Sequence, residues 1–296
     1  MPLGRRRTFA YLALVAAAFL FGATFVVVKQ AVTLIPPLAF VGWRFLIGAA
    51  ALFSLALPRG RSVWRDGVIA GTLLFAGYAL QTEGLALTSA ANSGLITGLY
   101  VVFTPIIAAG VARVKLSGWA VSGTGVAFVG LALLTIREGV RFDAGDLLTV
   151  GCAVAFAIHI VVLSRVAARH PVIPFTAVQL LVTAVLATFL SWITEGIPLP
   201  STDILPALLM TGLVVTAGAF LMQVWSQTVI GPARTAVILT LEPVSATLFA
   251  ALLLAERLDA KQWTGAGLIL AGIYLVLART NEMDTIPAAE AITPAH

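Results

Sequence analysis

Residues 233–258 read ARTAVILTLEPVSATLFAALLLAERL, a run long enough to cross a bilayer that carries Glu242 and Pro243 well inside it. A carboxylate in hydrocarbon is expensive, and such a residue faces a cavity or a partner. The proline removes a backbone hydrogen bond and loosens the helix at that place. An earlier stretch, residues 91–111 (ANSGLITGLYVVFTPIIAAGV), has the same plan with Tyr100 and Pro105. Two related helices, each weakened near the middle, point to a pathway and not merely an anchor.

Working outward, the whole chain of 296 residues is 60% hydrophobic and only 10% charged, with mean hydropathy +1.02. Soluble domains are nearer one quarter charged, so the composition is that of an integral membrane protein. The formal charge of +5 does not imply nucleic acid, because the basic residues sit in short loops where membrane topology explains them. One cysteine, Cys152, excludes an intramolecular disulfide and any multi-cysteine metal motif. The apolar run from Phe9 to Val28 exceeds a signal-peptide core and reads as a retained first helix.

A crossing needs roughly 20 apolar residues. That yardstick gives ten segments, approximately 8–28, 38–57, 68–87, 94–112, 119–136, 146–165, 175–194, 204–227, 235–255 and 264–278. The expected fold is therefore an all-α integral membrane protein, its segments joined by short loops rich in proline and glycine, with a polar tail, residues 280–296, expected to be disordered. Counting Lys and Arg places twelve on the side of the N-terminus and five on the other, with Arg44 inside the second segment. The bias predicts that both termini are cytoplasmic.

Sliding the second half over the first by 135 residues pairs Phe21 with Phe156, Pro36 with Pro171 and Arg44 with Gln179. Past the longer loop the shift becomes 142, pairing Gln81 with Gln223, Ile96 with Ile238, Gly125 with Gly267 and Gly130 with Gly272. Each half, residues 1–139 and 140–279, holds five segments, and an odd number predicts two inverted five-helix repeats. In this register Tyr100 pairs with Glu242, each about 13 Å from its helix start and so close to the midplane. Pro105 sits about one turn further along than Pro243.

FLFGATFVVVK (19–29), WRFLIGAA (43–50), LTSAANSGLITGLYVVFTP (87–105), VILTLEPVSATLFAALLLAERL (237–258) and WTGAGLILAGIYLVL (263–277) occur in that order over the two halves. In this the sequence resembles the drug/metabolite transporter superfamily, in its ten-helix, EamA-type branch. The resemblance implies movement of small metabolites, commonly amino acids, across the bacterial inner membrane, often outward, with the aromatic amino acid exporters as plausible relatives.

Several side chains are candidates for a substrate site, each against a structural alternative. Glu242 either contacts a substrate ammonium or carries a proton, or else steadies the broken ninth helix. Gln81 and Gln223 line a pathway or glue helices together. Arg44, about 9 Å into its segment, aims its fork at a carboxylate or snorkels to the headgroups; its counterpart Gln179 is equally consistent with a shared structural position. His159, alone in its segment, is a packing residue or a proton carrier. Trp43, Tyr78, Tyr100 and Trp225 lie near these polar groups, as the walls of an amphiphile site would. Pro105 and Pro243 are the candidate hinges. Gly123, Gly125 and Gly130 on the fifth segment and Gly265, Gly267 and Gly272 on the tenth permit close helix approach; these segments are expected to be peripheral scaffold or a dimer face, with a monomer or weak homodimer as the assembly.

No Walker-type phosphate loop and no metal or serine-hydrolase motif occurs, so no cofactor, metal or catalytic residue is expected. The sequence predicts a non-enzymatic secondary transporter of small amphiphilic metabolites, with aromatic amino acids foremost. Its partners would be that cargo and the lipid bilayer, and alternating access around a midplane cavity its mechanism. Export of lipophilic cations or drugs is the alternative; a membrane-embedded enzyme is a more distant one.

Overall fold

The structure, a computed structural model, describes residues 3–31, 33–87, 96–113, 115–135, 144–254 and 259–279. The start of the fourth expected segment and the tail from residue 280 lie outside them. The described residues are helical with short connections and contain no strand. Among the described residues six helical stretches are long and apolar enough to cross a membrane: Gly4–Thr24, Pro37–Leu55, Ala144–Arg169, Val172–Thr194, Leu205–Gln227 and Ala260–Ala278. Tyr100–Ala112 and Gly118–Leu134 are shorter apolar helices. Helices are what a chain must form in hydrocarbon, where backbone groups have no water to bond.

In chain order the elements are α1 (Leu3–Ala31), α2 (Pro37–Leu55), α3 (Arg61–Leu87), α4 (Tyr100–Ala112) and α5 (Gly118–Thr135). There follow α6 (Ala144–Val166) with a 3-10 turn at Ala167–Arg169, α7 (Val172–Thr194) and α8 (Leu205–Gln227). The last are α9, in two pieces, Pro232–Leu239 and Leu241–Leu254, and α10 (Ala260–Arg279). Pro37 and Pro232 sit in the first turns of α2 and α9, where the missing N–H costs nothing.

The packing follows a simple scheme. The longest contacts run between α5 and α10 and between α2 and α7; α3 lies against α6 and α7, and α8 against α1 and α2. α1 also packs on the second piece of α9, and α6 on α4. Exchanging the first five helices for the last five, in order, turns this set of neighbours into itself.

The α5–α10 seam has the same reciprocity at atomic scale. A Cβ built on Gly123 would lie 2.9 Å from the carbonyl of Gly272, and one on Gly272 would lie 2.6 Å from that of Gly123. Gly130 and Gly265 each place a Cβ 2.6 Å from the other's carbonyl. These four glycines let the backbones touch within the chain. Gly125 and Gly267 meet nothing within 4 Å and face outward.

α8 contains a ten-residue π-helical stretch, Met210–Ala219. Near its start Gly71 corresponds to Gly212, a shift of 212 − 71 = 141; after it Gln81 corresponds to Gln223, a shift of 142. A π-bulge is a one-residue insertion into a helix. The extra residue in α8 is thus absorbed by winding, and Gln223 keeps its place.

Candidate functional site

The two broken helices set the geometry. α9 stops at Leu239, turns at Thr240 and restarts at Leu241, so Pro243 is the third residue of the new helix. Proline at that point cannot donate to the carbonyl of Leu239, which is where the helix parts. α4 begins at Tyr100 after a turn at Gly98 and Leu99. The breaks therefore coincide in the 142-residue register (Gly98 with Thr240, Tyr100 with Glu242) although the prolines do not. Pro105 lies inside the continuous helix α4.

α1 presses on the α9 break. A Cβ on Gly22 would collide with the Glu242 carbonyl, so only glycine permits this approach. Ser245 Oγ donates to the carbonyls of Phe19 (3.2 Å) and Glu242 (3.2 Å), tying the two helices together. The Glu242 side chain, partly buried, makes no hydrogen bond among the described residues. It interacts electrostatically with Arg44, Tyr78, Tyr100 and Cys152.

Arg44 is 6% exposed and lies beneath aromatic rings. Its guanidinium carbon is 4.8 Å from the ring centre of Tyr78, 5.1 Å from that of Phe45 and 5.8 Å from that of Phe40. Its Nε has no hydrogen-bond partner. Cation–π contacts of this sort are worth about 2 kcal/mol when desolvated, which offsets only part of the cost of burying the charge.

The rings belong to a chain of aromatics. Phe156 meets Tyr78 edge-on (5.5 Å), Tyr78 meets Phe45 (5.1 Å), Phe45 meets Phe220 (5.8 Å), and Phe220 meets Phe21 edge-on (5.0 Å). In the register above, Phe21 corresponds to Phe156 and Phe220 to Tyr78, so the chain reads alike from either end with Phe45 at its centre. Beside it Gln81 Nε2 donates to Thr97 Oγ1 (3.4 Å), and Thr97 Oγ1 lies 4.0 Å from Cys152 Sγ. Arg44, Tyr78, Gln81, Tyr100 and Glu242 are thus gathered into one region.

Other candidates lie elsewhere. His159 Nε2 is 3.1 Å from Gln179 Oε1, both fully enclosed, and Gln179 Nε2 has no partner. Gln223 Nε2 donates to Gln227 Oε1, and Gln227 Nε2 donates to the Ile160 carbonyl and to Ser164 Oγ, both 2.8 Å. That network bolts α8 to α6. Trp43 Nε1 donates to the carbonyl of Pro198 (3.2 Å), which holds the indole near the α7–α8 loop. Trp225 packs against the largest apolar cluster.

One polar cluster has no counterpart in the sequence reading. His170 Nε2 lies 2.7 Å from Asp66 Oδ2, with both side chains about 5% exposed or less, and Arg65 Nε donates to Asp66 Oδ1 (2.8 Å). His170 also stacks on Phe175, 5.3 Å between ring centres. Burial alone would raise the Asp66 carboxyl, but the hydrogen bonds and charge of Arg65 and His170 outweigh it and hold the group below its ordinary 3.8. Phe45 was likewise missed, since a phenylalanine in an apolar run carries no sign of its partners.

A multi-pass bundle with a buried arginine, an acid within its electrostatic reach and aromatics beside its broken helices has the build of a membrane transporter. Known proteins agree: the model of the EamA-like transporter family matches residues 8–136 and again 143–278. The chain belongs to that family. An uncharacterised transporter of Archaeoglobus fulgidus is 37% identical over 277 residues, 93% of this chain and 88% of its own. The uncharacterised transporter YwfM of Bacillus subtilis is 28% identical over 92% of this chain and 95% of its own. A crystal structure 24% identical in sequence superposes with TM-score 0.78 over 91% of this chain and 97% of its own, which shows the fold.

Proposed function

We propose that this transporter carries small amphiphilic metabolites, aromatic amino acids foremost, outward across a bacterial inner membrane by alternating access. The moving parts are two inverted five-helix halves, residues 1–139 and 140–279, with both termini cytoplasmic. The self-matching helix contacts, the palindromic glycine seam and the doubled family match all support an inverted repeat. The coincident breaks in α4 and α9, with Pro105 and Pro243 beside them, supply the flexible points.

The observation that carries the reading is that Arg44 and Glu242 lie within electrostatic reach of each other beside a chain of edge-on and tilted aromatic rings. A carboxylate and an ammonium on one small molecule would find both partners there, and an aromatic side chain would find rings. Tyr78, Gln81 and Tyr100 line the same region. His159 and Gln179, Gln223, Trp43 and Trp225 stand further off, as a second layer that shapes the path. The alternative cargo, a lipophilic cation, suits Glu242 and the rings.

Purified protein in liposomes should give saturable phenylalanine flux that tryptophan competes. Glu242→Gln, folded and reconstituted to the same level, should lose at least about tenfold of that flux, the loss of one charge-assisted contact of about 1.4 kcal/mol. Absence of flux with every amino acid tried would sink the reading.

A further inference from the structure

We infer that Arg44 determines which net charge the carrier accepts: it admits zwitterions and rejects organic cations of the same shape. The inference rests on the proposed amino-acid site and deepens it. Three observations carry it. Arg44 is a buried cation whose Nε is unpartnered. Glu242 is within electrostatic reach of it. Aromatic faces and the Tyr78 hydroxyl, with no carboxylate among the described residues in hydrogen-bond contact, hold the guanidinium in place.

With the Glu242 carboxyl ionised, Arg44 and Glu242 together sum to zero charge. A zwitterion adds nothing to that sum and can satisfy both groups at once. A cation of equal size can satisfy only Glu242, leaving Arg44 uncompensated in a medium that screens it poorly. An unpaired charge inside a membrane protein is costly, so cations are excluded by what they leave behind. Exposed charges could not do this, since water would compensate them; burial of Arg44 is what makes it selective.

Removing either charge should convert the preference. In Arg44→Gln the site carries one negative charge, which a cation neutralises and a zwitterion does not. In Glu242→Gln it carries one positive charge, which favours an anion. Phenylalanine, phenethylamine and 3-phenylpropionate share one ring and chain and differ only in these charges.

The test is uptake of these three by reconstituted wild type, Arg44→Gln, Arg44→Lys and Glu242→Gln. Wild type should take phenylalanine alone. Arg44→Gln should shift the phenethylamine to phenylalanine ratio by roughly a hundredfold, as loss of one partner of a buried charge pair does. Arg44→Lys keeps the charge and should still reject phenethylamine, while binding phenylalanine more weakly because it lacks the fork. Glu242→Gln should move the preference toward 3-phenylpropionate, and it decides the matter if Arg44→Gln does not fold. Wild-type flux of phenylalanine with unchanged ratios in the variants overturns the charge filter alone. Wild type that moves none of the three overturns the amino-acid site and the filter with it.

Discussion

At one end of the bundle Val63, Leu163, Phe175 and Val178 pack together, and at the other Ile204, Val28, Phe40 and Trp43 do. Each residue of the first set corresponds to one of the second through the shifts of 135 or 141, and both sets are apolar. The chemistry laid on them does not. The first end adds Asp66 and His170, an enclosed hydrogen-bonded pair; at the corresponding positions the second has Ala207 and Ile35, two more apolar residues of the same cluster. The second end instead uses Glu195 of the α7–α8 loop, whose Oε2 accepts from the Leu38 N–H (3.0 Å) at the start of α2. Its counterpart is Gly60, a turn residue with φ 91°. Apolar character is common to the two ends, while the means of fastening each loop differs.

The largest expected effect comes from breaking the Asp66–His170 pair. Asp66→Ala should cost about 3 kcal/mol of unfolding free energy in detergent, because it strands a buried partner. Adding His170→Ile transplants the composition of the apolar end, and the double variant should return to within about 1 kcal/mol of wild type, since a well-packed apolar pair replaces a buried ionic one at little net cost. A double variant as unstable as Asp66→Ala would mean that the two ends are not equivalent in shape. Acid sharpens the contrast. Because Asp66 is held below 3.8, its contribution is complete above that value and drains away as pH falls through the lower folded-state value. Wild type should therefore lose its advantage over Asp66→Ala below about pH 4, whereas the double variant should show no such loss from this site.

A smaller effect tests the symmetry itself. Gly130→Ala and Gly272→Ala occupy equivalent places on α5 and α10, each against a backbone carbonyl at 2.6 Å. Both should cost about 2 kcal/mol, as overpacking does, and by similar amounts. Gly125→Ala, facing open space on the same helix, should be neutral or stabilising by up to about 1 kcal/mol. Unequal losses at Gly130 and Gly272, measured by thermal or denaturant unfolding, would limit the resemblance of the halves to their outlines.

The helices were legible in the sequence because hydrocarbon demands long apolar runs, and the break at Glu242 because an acid and a proline interrupt one. The pairing of Tyr100 with Glu242 was legible as register, and the structure adds that the breaks, rather than the prolines, are what correspond. The change of shift from 135 to 142 was visible, but its last residue is taken up by π winding in α8, which leaves no mark in composition. Asp66 and His170 stand 104 residues apart with no motif spacing to join them. Only a comparison with Ala207 and Ile35 could have raised them, as two polar residues where the other half is apolar. Phe45 and Gln227 were hidden for the opposite reason: packing residues look alike until their neighbours are known.

The smallest effect concerns the second end's own fastening. Glu195 caps α2 from outside the helix, satisfying a first-turn N–H that Pro36, the residue ahead of the helix, cannot serve with a side chain. Removing it in Glu195→Ala should cost about 1 kcal/mol, the usual value of an N-terminal cap, with part of that due to charge at the positive end of the helix. Glu195→Gln keeps an acceptor and should recover more than half. The partly exposed carboxylate makes the charge share sensitive to salt, so the gap between Glu195→Gln and wild type should narrow as ionic strength rises. The deficit of Asp66→Ala, set by an enclosed pair, should change little over the same range. If both deficits respond alike, the ends are fastened by the same kind of interaction after all, and the contrast between a buried lock and a surface cap fails.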